Sequence, residues 1–289
     1  MKRTLTGSDA FIKMLSIPLP EKTKTYTPIA HMHIVNRVRS EIRNAGFSIE
    51  AESFKCSQDG MVALGSMMIN YKDDPELVLA ANFVNSYNKQ FAFRFSLGGV
   101  DKTTGSYMIL DDNTYGSYKR VHKGAADLLA EGKIQEIING AGAYWRELLD
   151  SADLLQGYVV SLKSAYSYAA ELFFKDDAIL NTMQLNTIKS LFKAHVDSSK
   201  TLCLNLYDFH NIIGQALQDS HPSEWLDHQT KLHSYLMEKA RPCELEDEFE
   251  SIVEEETTES SEAKDDTYRL PTKEEWEEAS NINVTDELP

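Results

Sequence analysis

Cysteine is scarce, with Cys56, Cys203 and Cys243 the only three in 289 residues and no C-x-x-C pair among them. Such spacing excludes a disulfide framework and a zinc ribbon, and it fits a reducing cytoplasm. Long apolar runs are also missing: nothing approaches the ~18 consecutive apolar residues that span a bilayer. The opening MKRTLTGSDAFIKMLSIPLP has its apolar stretch broken by Lys13, and no small-residue cleavage site follows. The expectation is a soluble, unexported cytoplasmic chain without a membrane partner. There is no Walker loop, no G-x-S-x-G elbow, no H-E-x-x-H and no G-x-G-x-x-G after a strand. Motifs therefore assign no cofactor, no catalytic residue and no metal ligand, and the reading is non-enzymatic.

What is present is a hydrophobic fraction of 42%, enough to bury a core, and a net charge of −16 that is unevenly placed. Residues 243–289 hold 18 acids and 3 bases, a net of −15, which leaves −1 for residues 1–242. Within that body, residues 1–123 carry +4 and residues 124–242 carry −5. The acidic terminus lacks the apolar content to offset chain entropy and reads as disordered. One exception is LPTKEEWEEAS, where Thr272 and Glu275 have capping-box spacing for a short helix over 272–280.

Periodicity divides the body in two. Residues 27–46 predict a helix with Thr27 as cap, Pro28 in its first turn, an apolar stripe of His31, Val35, Val38 and Ile42, and Gly46 at its end. The period then changes to two. Phe47, Ile49 and Ala51 alternate with polar residues, Asp59-Gly60 supplies a turn, and strands follow at MVALGSMMINY, 77–84, 91–97 and 106–110. From Gly124 the pattern is helical through SEWLDHQTKLHSYLMEK. The expected fold is α+β: an N-terminal helix and antiparallel meander over 1–123, a helical region packed on it over 124–242, and the acidic tail over 243–289.

Several short stretches carry a resemblance. TYTPIAHMHIVNRVRSEIRNAGFSI, FKCSQDGMVAL, LVLAANFVNSYNKQ, GSYMILDDN and His122 resemble, in that order, the phage- and plasmid-borne domain-of-unknown-function family 932, and LYDFHNIIGQAL resembles its C-terminal aromatic helix. The resemblance covers about residues 25–240 and implies a mobile-element origin; it brings no reaction with it. It also marks a family-motif site at Asn85, Ser86, Asp112, Asn113 and His122. Asn88 and Asp111 stand where that pattern carries Asp and Cys, and a neutral amide is a poorer metal ligand than a carboxylate.

The polar segment before the phenylalanine strand points to the chemistry. Phe91, Phe93 and Phe95 fall on one strand face, expected to be buried, and Arg94 on the other. Asn85, Tyr87, Asn88 and Lys89 with Arg94, Lys102, Lys119, Arg120 and Lys123 are read as one cationic, amide-rich rim. Its cations would neutralise phosphates, and Tyr87, Tyr107 or Tyr118 would stack on unpaired bases. The reading is a nucleic-acid-binding protein, for single-stranded DNA, acting in replication or recombination, with the terminus as an internal competitor. Two alternatives stay open: a module that docks a host or phage protein through residues 243–289, and a metal-dependent enzyme using Asp111, Asp112, His122 and the Asn85 turn. His31 and His33, two apart on a helix, face different directions and are read as solvent-facing or capping, and His221, His228 and His233 as lying on polar helix faces. Assembly into an oligomer is compatible with this sequence.

Overall fold

The protein's structure, a computed structural model, describes residues 4–110, 116–124 and 126–240, without the side chains of 126–128. The described residues all belong to one compact unit. The tail and the short helix expected at 272–280 lie outside the described residues.

Chain order is β1 (Thr4–Thr6), α1 (Gly7–Ser16), α2 (His31–Asn44), β2 (Ser48–Ser57), β3 (Val62–Asn70), β4 (Leu77–Ser86), β5 (Phe93–Asp101), β6 (Tyr107–Met108) and β7 (Ser117–Arg120). The helical half follows: α3 (Ala126–Asn139), α4 (Ala141–Gly157), β8 (Val159–Ser161), α5 (Leu162–Phe174), α6 (Thr182–Ser199), β9 (Cys203–Asn205), α7 (Leu206–Leu217) and α8 (Pro222–Lys239). The fold is α+β. Strands β1 to β5 form an antiparallel meander in sequence order, and the free edge of β5 is shared between β7 near Phe93 and β6 near Val100. A separate pair, β8 and β9, lies among the helices.

The sheet is covered on both faces. Phe83, Phe93, Phe95 and Leu97 are fully buried on one face, in a core shared with Val35, Val38 and Ile42 of α2 and Tyr144, Trp145 and Leu148 of α4. The opposite face carries Val62, Leu64, Val78, Ala80, Val84 and Val100, packed against Trp225 and Leu226 of α8. Each large side chain moved out of water on these faces contributes about 1.5–3 kcal/mol, so both layers hold the meander flat between helices. The near-continuous apolar run LVLAANFV follows from double coverage, since a strand buried on both faces has no reason to alternate.

Several expectations need correction. The first long helix starts at His31, not Thr27: residues 27–30 are not helical, and the cap residue, the extended Ala30, has no side chain that can cap. Phe91 does not share a face with Phe93 and Phe95. It precedes the strand, which starts only at Phe93, and packs against the Val62–Trp225 cluster, so the alternation does not extend to it. A register shift between Ile49 and Ala51 likewise turns Ala51 outward. The N-terminal β1 and α1 went unread because Lys13 interrupts an apolar stripe that nonetheless buries Ala10 and Met14. His233 lies buried on α8 and not on a polar face. No described helix is long and apolar enough to cross a membrane.

Candidate functional site

Four stretches meet at the end of the sheet where β4 stops: the loop 17–30, the β2–β3 turn at Asp59-Gly60, the β4–β5 turn, and residues 121–124 after β7. Asn85, the penultimate residue of β4, has no exposed surface. Its Nδ2 donates to the Ile29 carbonyl at 2.7 Å and to His31 Nδ1 at 2.9 Å. The other ring nitrogen of His31 donates to the Gly60 carbonyl at 3.2 Å, an acceptor held in place by the left-handed Gly60 (φ 76°). Tyr87 stacks on the His31 ring with centroids 3.8 Å apart and planes within 8°. The backbone N–H of His31 donates to the Tyr87 hydroxyl at 2.8 Å, so a side chain 56 residues away satisfies one of the orphan donors of α2.

Burial is the main reason that the His31 pKa falls to about 4, with neighbouring His122 adding to it and the Gly60 bond opposing. His31 is therefore neutral at pH 7, as its accepting Nδ1 requires. His122 is lowered by burial as well, and Tyr26 and Tyr87 are both raised by it.

Tyr26 is the common element. Its hydroxyl donates to the Tyr87 carbonyl at 3.2 Å, its ring lies 5.7 Å from the His122 ring, and Lys89 Nζ stands 4.9 Å above its face. The next residue, Thr27, donates its N–H to the His122 carbonyl at 3.0 Å. The Asn85 turn and the His122 segment thus share one cluster, and His31, at the head of the apolar stripe on α2, is the residue sequence reasoning missed. That stripe was the signal: a histidine in register with Val35, Val38 and Ile42 is a buried histidine.

The nine-residue rim is not one surface. Asn85, Ser86 and Tyr87 are buried, and Ser86 Oγ donates to the Phe91 carbonyl at 2.8 Å. Tyr87 and Tyr107 therefore offer no face to a base. Arg94 is half-buried and paired with Asp227 of α8, since its face of the sheet is covered. Lys102 donates to the Asp74 carbonyl at the far end of β5, about 27 Å from the Lys89 turn at ~3.3 Å per residue. Asn88 closes its own turn by accepting from the N–H of Gln90. Lys89, Lys119 and Lys123 are exposed at the near end and Arg120 is half-buried there. Asp111, Asp112 and Asn113 lie outside the described residues.

Two exposed lysines at this end were not anticipated. Lys22 precedes the Thr23–Tyr26 bridge and Lys24 lies inside the turn that it closes. Across residues 21–26, 57–61, 87–92 and 119–124 there are six cations (Lys22, Lys24, Lys89, Lys119, Arg120, Lys123) and two carboxylates (Glu21, Asp59). Among the described residues no group of three or more His, Cys, Asp or Glu side chains could hold a metal ion. No family model, no curated protein and no solved structure matches this chain.

Proposed function

We propose that this protein binds nucleic acid, preferring single strands, through the phosphate backbone and at the loop end of the sheet. One observation carries the reading: Tyr26 ties together loops that each bring exposed lysines, with Lys89 over its ring, Lys24 in its own turn, Lys22 just before that turn, and Lys123 beside His122. A preorganised cluster of ammonium groups on short loops attracts phosphates without base readout. The resemblance to family 932 supports a setting on a phage or plasmid, in replication or recombination. The net −15 of residues 243–289 repels phosphate and lowers the affinity of the whole chain.

The test is fluorescence anisotropy with a labelled thymidine oligonucleotide between 50 and 200 mM salt. About four phosphate contacts give a log–log slope of about −3 for a single strand, a loss of about 50-fold over that range. A chain ending at Arg241 binds more tightly than the full one. Binding that ignores salt overturns the reading, and equal affinity for duplex removes the strand preference alone.

A further inference from the structure

The centre of the sheet's second face holds a different buried polar group. Ser66, Asn82 and Ser96 are register partners on β3, β4 and β5, so their side chains stand in a row on the face that α8 covers. Asn82 has no exposed surface, and neither end of its amide has a hydrogen-bond partner among the described residues; Ser66 Oγ also lacks one there. Ser96 is satisfied by a carbonyl of its own strand. The neighbourhood is tight, because a Cβ on Gly98 would stand 3.1 Å from Asn82 Nδ2.

On α8, whose Trp225 packs against this face of the sheet, Gln229 follows one turn later. It too is fully buried with both amide atoms unpartnered. Its Oε1 lies 3.8 Å from where a Cβ on Gly214 of α7 would stand. One turn before Gly214 is His210, fully buried with both ring nitrogens unpartnered, and its ring is 6.4 Å from that of His233 on α8. Seven polar atoms on four side chains from β3, β4, α7 and α8 are thus left open, and none of the four side chains is charged.

An unpartnered buried group costs the full desolvation of that group, and seven together would consume most of the margin by which a domain is stable. The layer is therefore satisfied by something outside the chain. Amides, a hydroxyl and a neutral imidazole offer both donors and acceptors, while an ion would be left without countercharge.

We propose that the layer between the sheet and helices α7 and α8 is an internal site for a neutral ligand that both donates and accepts hydrogen bonds. Two sources share that chemistry: ordered water, which occupies such sites at about three bonds per molecule, and a small amide-like compound enclosed as the chain folds. The site is independent of the loop end and of the nucleic-acid reading.

The full chain is studied beside Asn82→Leu, Gln229→Met and Ser66→Ala, the last removing a single oxygen so that one folded variant is assured. Oxygen-17 relaxation dispersion counts long-lived internal water, and mass spectrometry of the supernatant after denaturation reveals a co-purified compound. If water fills the layer, the dispersion amplitude falls in the variants and Tm drops by about 4 °C in Asn82→Leu. If a compound fills it, that compound is recovered from the native chain in stoichiometric amount and lost from Asn82→Leu and Gln229→Met. Variants with unchanged dispersion, no recovered compound and a raised Tm overturn the proposal, since deleting an amide that truly lacks a partner stabilises a dry layer.

Discussion

Two buried polar clusters, one at the loop end of the sheet and one towards α7 and α8, are satisfied to different degrees. At the loop end, Asn85 Nδ2, His31 and Tyr87 bond to backbone groups and to one another across loops that belong to the chain itself, while Asn85 Oδ1 and the His122 ring find no partner among the described residues. In the middle of the opposite face, Asn82, Gln229 and His210 find no such groups. The difference follows from position. Strand ends and turns free carbonyls and N–H groups from the ladder, whereas a mid-strand backbone is fully paired and leaves nothing for an inward amide.

The largest effect expected from the comparison is acid instability contributed by both clusters, in pH windows that open together and close at different values. His31 is depressed to about 4 and His210 to about 3, chiefly by burial in each case. The folded protein keeps both rings neutral, while the unfolded chain protonates them below about 6.5, so their contribution is complete above that pH and is lost as pH falls. The loss amounts to about 3 kcal/mol from His31 by pH 4 and about 4 kcal/mol from His210 by pH 3. Urea titrations at half-unit steps measure it. His31→Gln should lessen the slope between about pH 6.5 and 4, and His210→Gln the slope from about 6.5 down to 3, so that only His210→Gln changes the stretch below pH 4; a profile that neither variant changes would mean that neither ring is buried neutral.

The next effect separates the clusters by single substitution. Asn85→Leu strands the Ile29 carbonyl and His31 Nδ1 in a place already filled by protein, at a cost of about 3 kcal/mol. Asn82→Leu removes an amide whose partners are replaceable, at about 1.5 kcal/mol. Tyr87→Phe falls between, taking one acceptor from α2 and leaving the ring stack in place. Equal costs at positions 82 and 85, read from chemical denaturation, would erase the distinction between a bonded and a hydrated cluster.

How much of this the sequence disclosed depends on range. The Asp59-Gly60 turn, the meander order and the helical second half are local signals, carried by period and turn chemistry, and they were legible. The pairing of His31 with Tyr87 spans 56 residues and that of Arg94 with Asp227 spans 133, and no period encodes such a contact. The rim therefore looked continuous in sequence and proved divided, because β5 sends Lys89 and Lys102 to opposite ends of the sheet. One long-range fact is legible: the near-continuous apolar run of β4, interrupted only by Asn82, signals that both faces are covered, so Arg94 faces a helix and not water.

The smallest effect tests that division. Lys22→Glu with Lys24→Glu, Lys89→Glu and Lys123→Glu replaces exposed side chains, of which Lys89 gives up its place over the Tyr26 ring, so stability should move by no more than about 1 kcal/mol. Affinity for the oligonucleotide should fall by more than 100-fold, and the salt slope should approach zero as phosphate contacts vanish. Lys102→Glu changes the net charge in the same direction but lies about 27 Å away, more than three times the ~8 Å screening length at physiological salt. Its effect should stay within about two-fold at 150 mM and grow only as salt is lowered. A loss at Lys102 as large as at Lys89 would mean that nucleic acid runs along the length of β5 and that the loop end is not the contact surface.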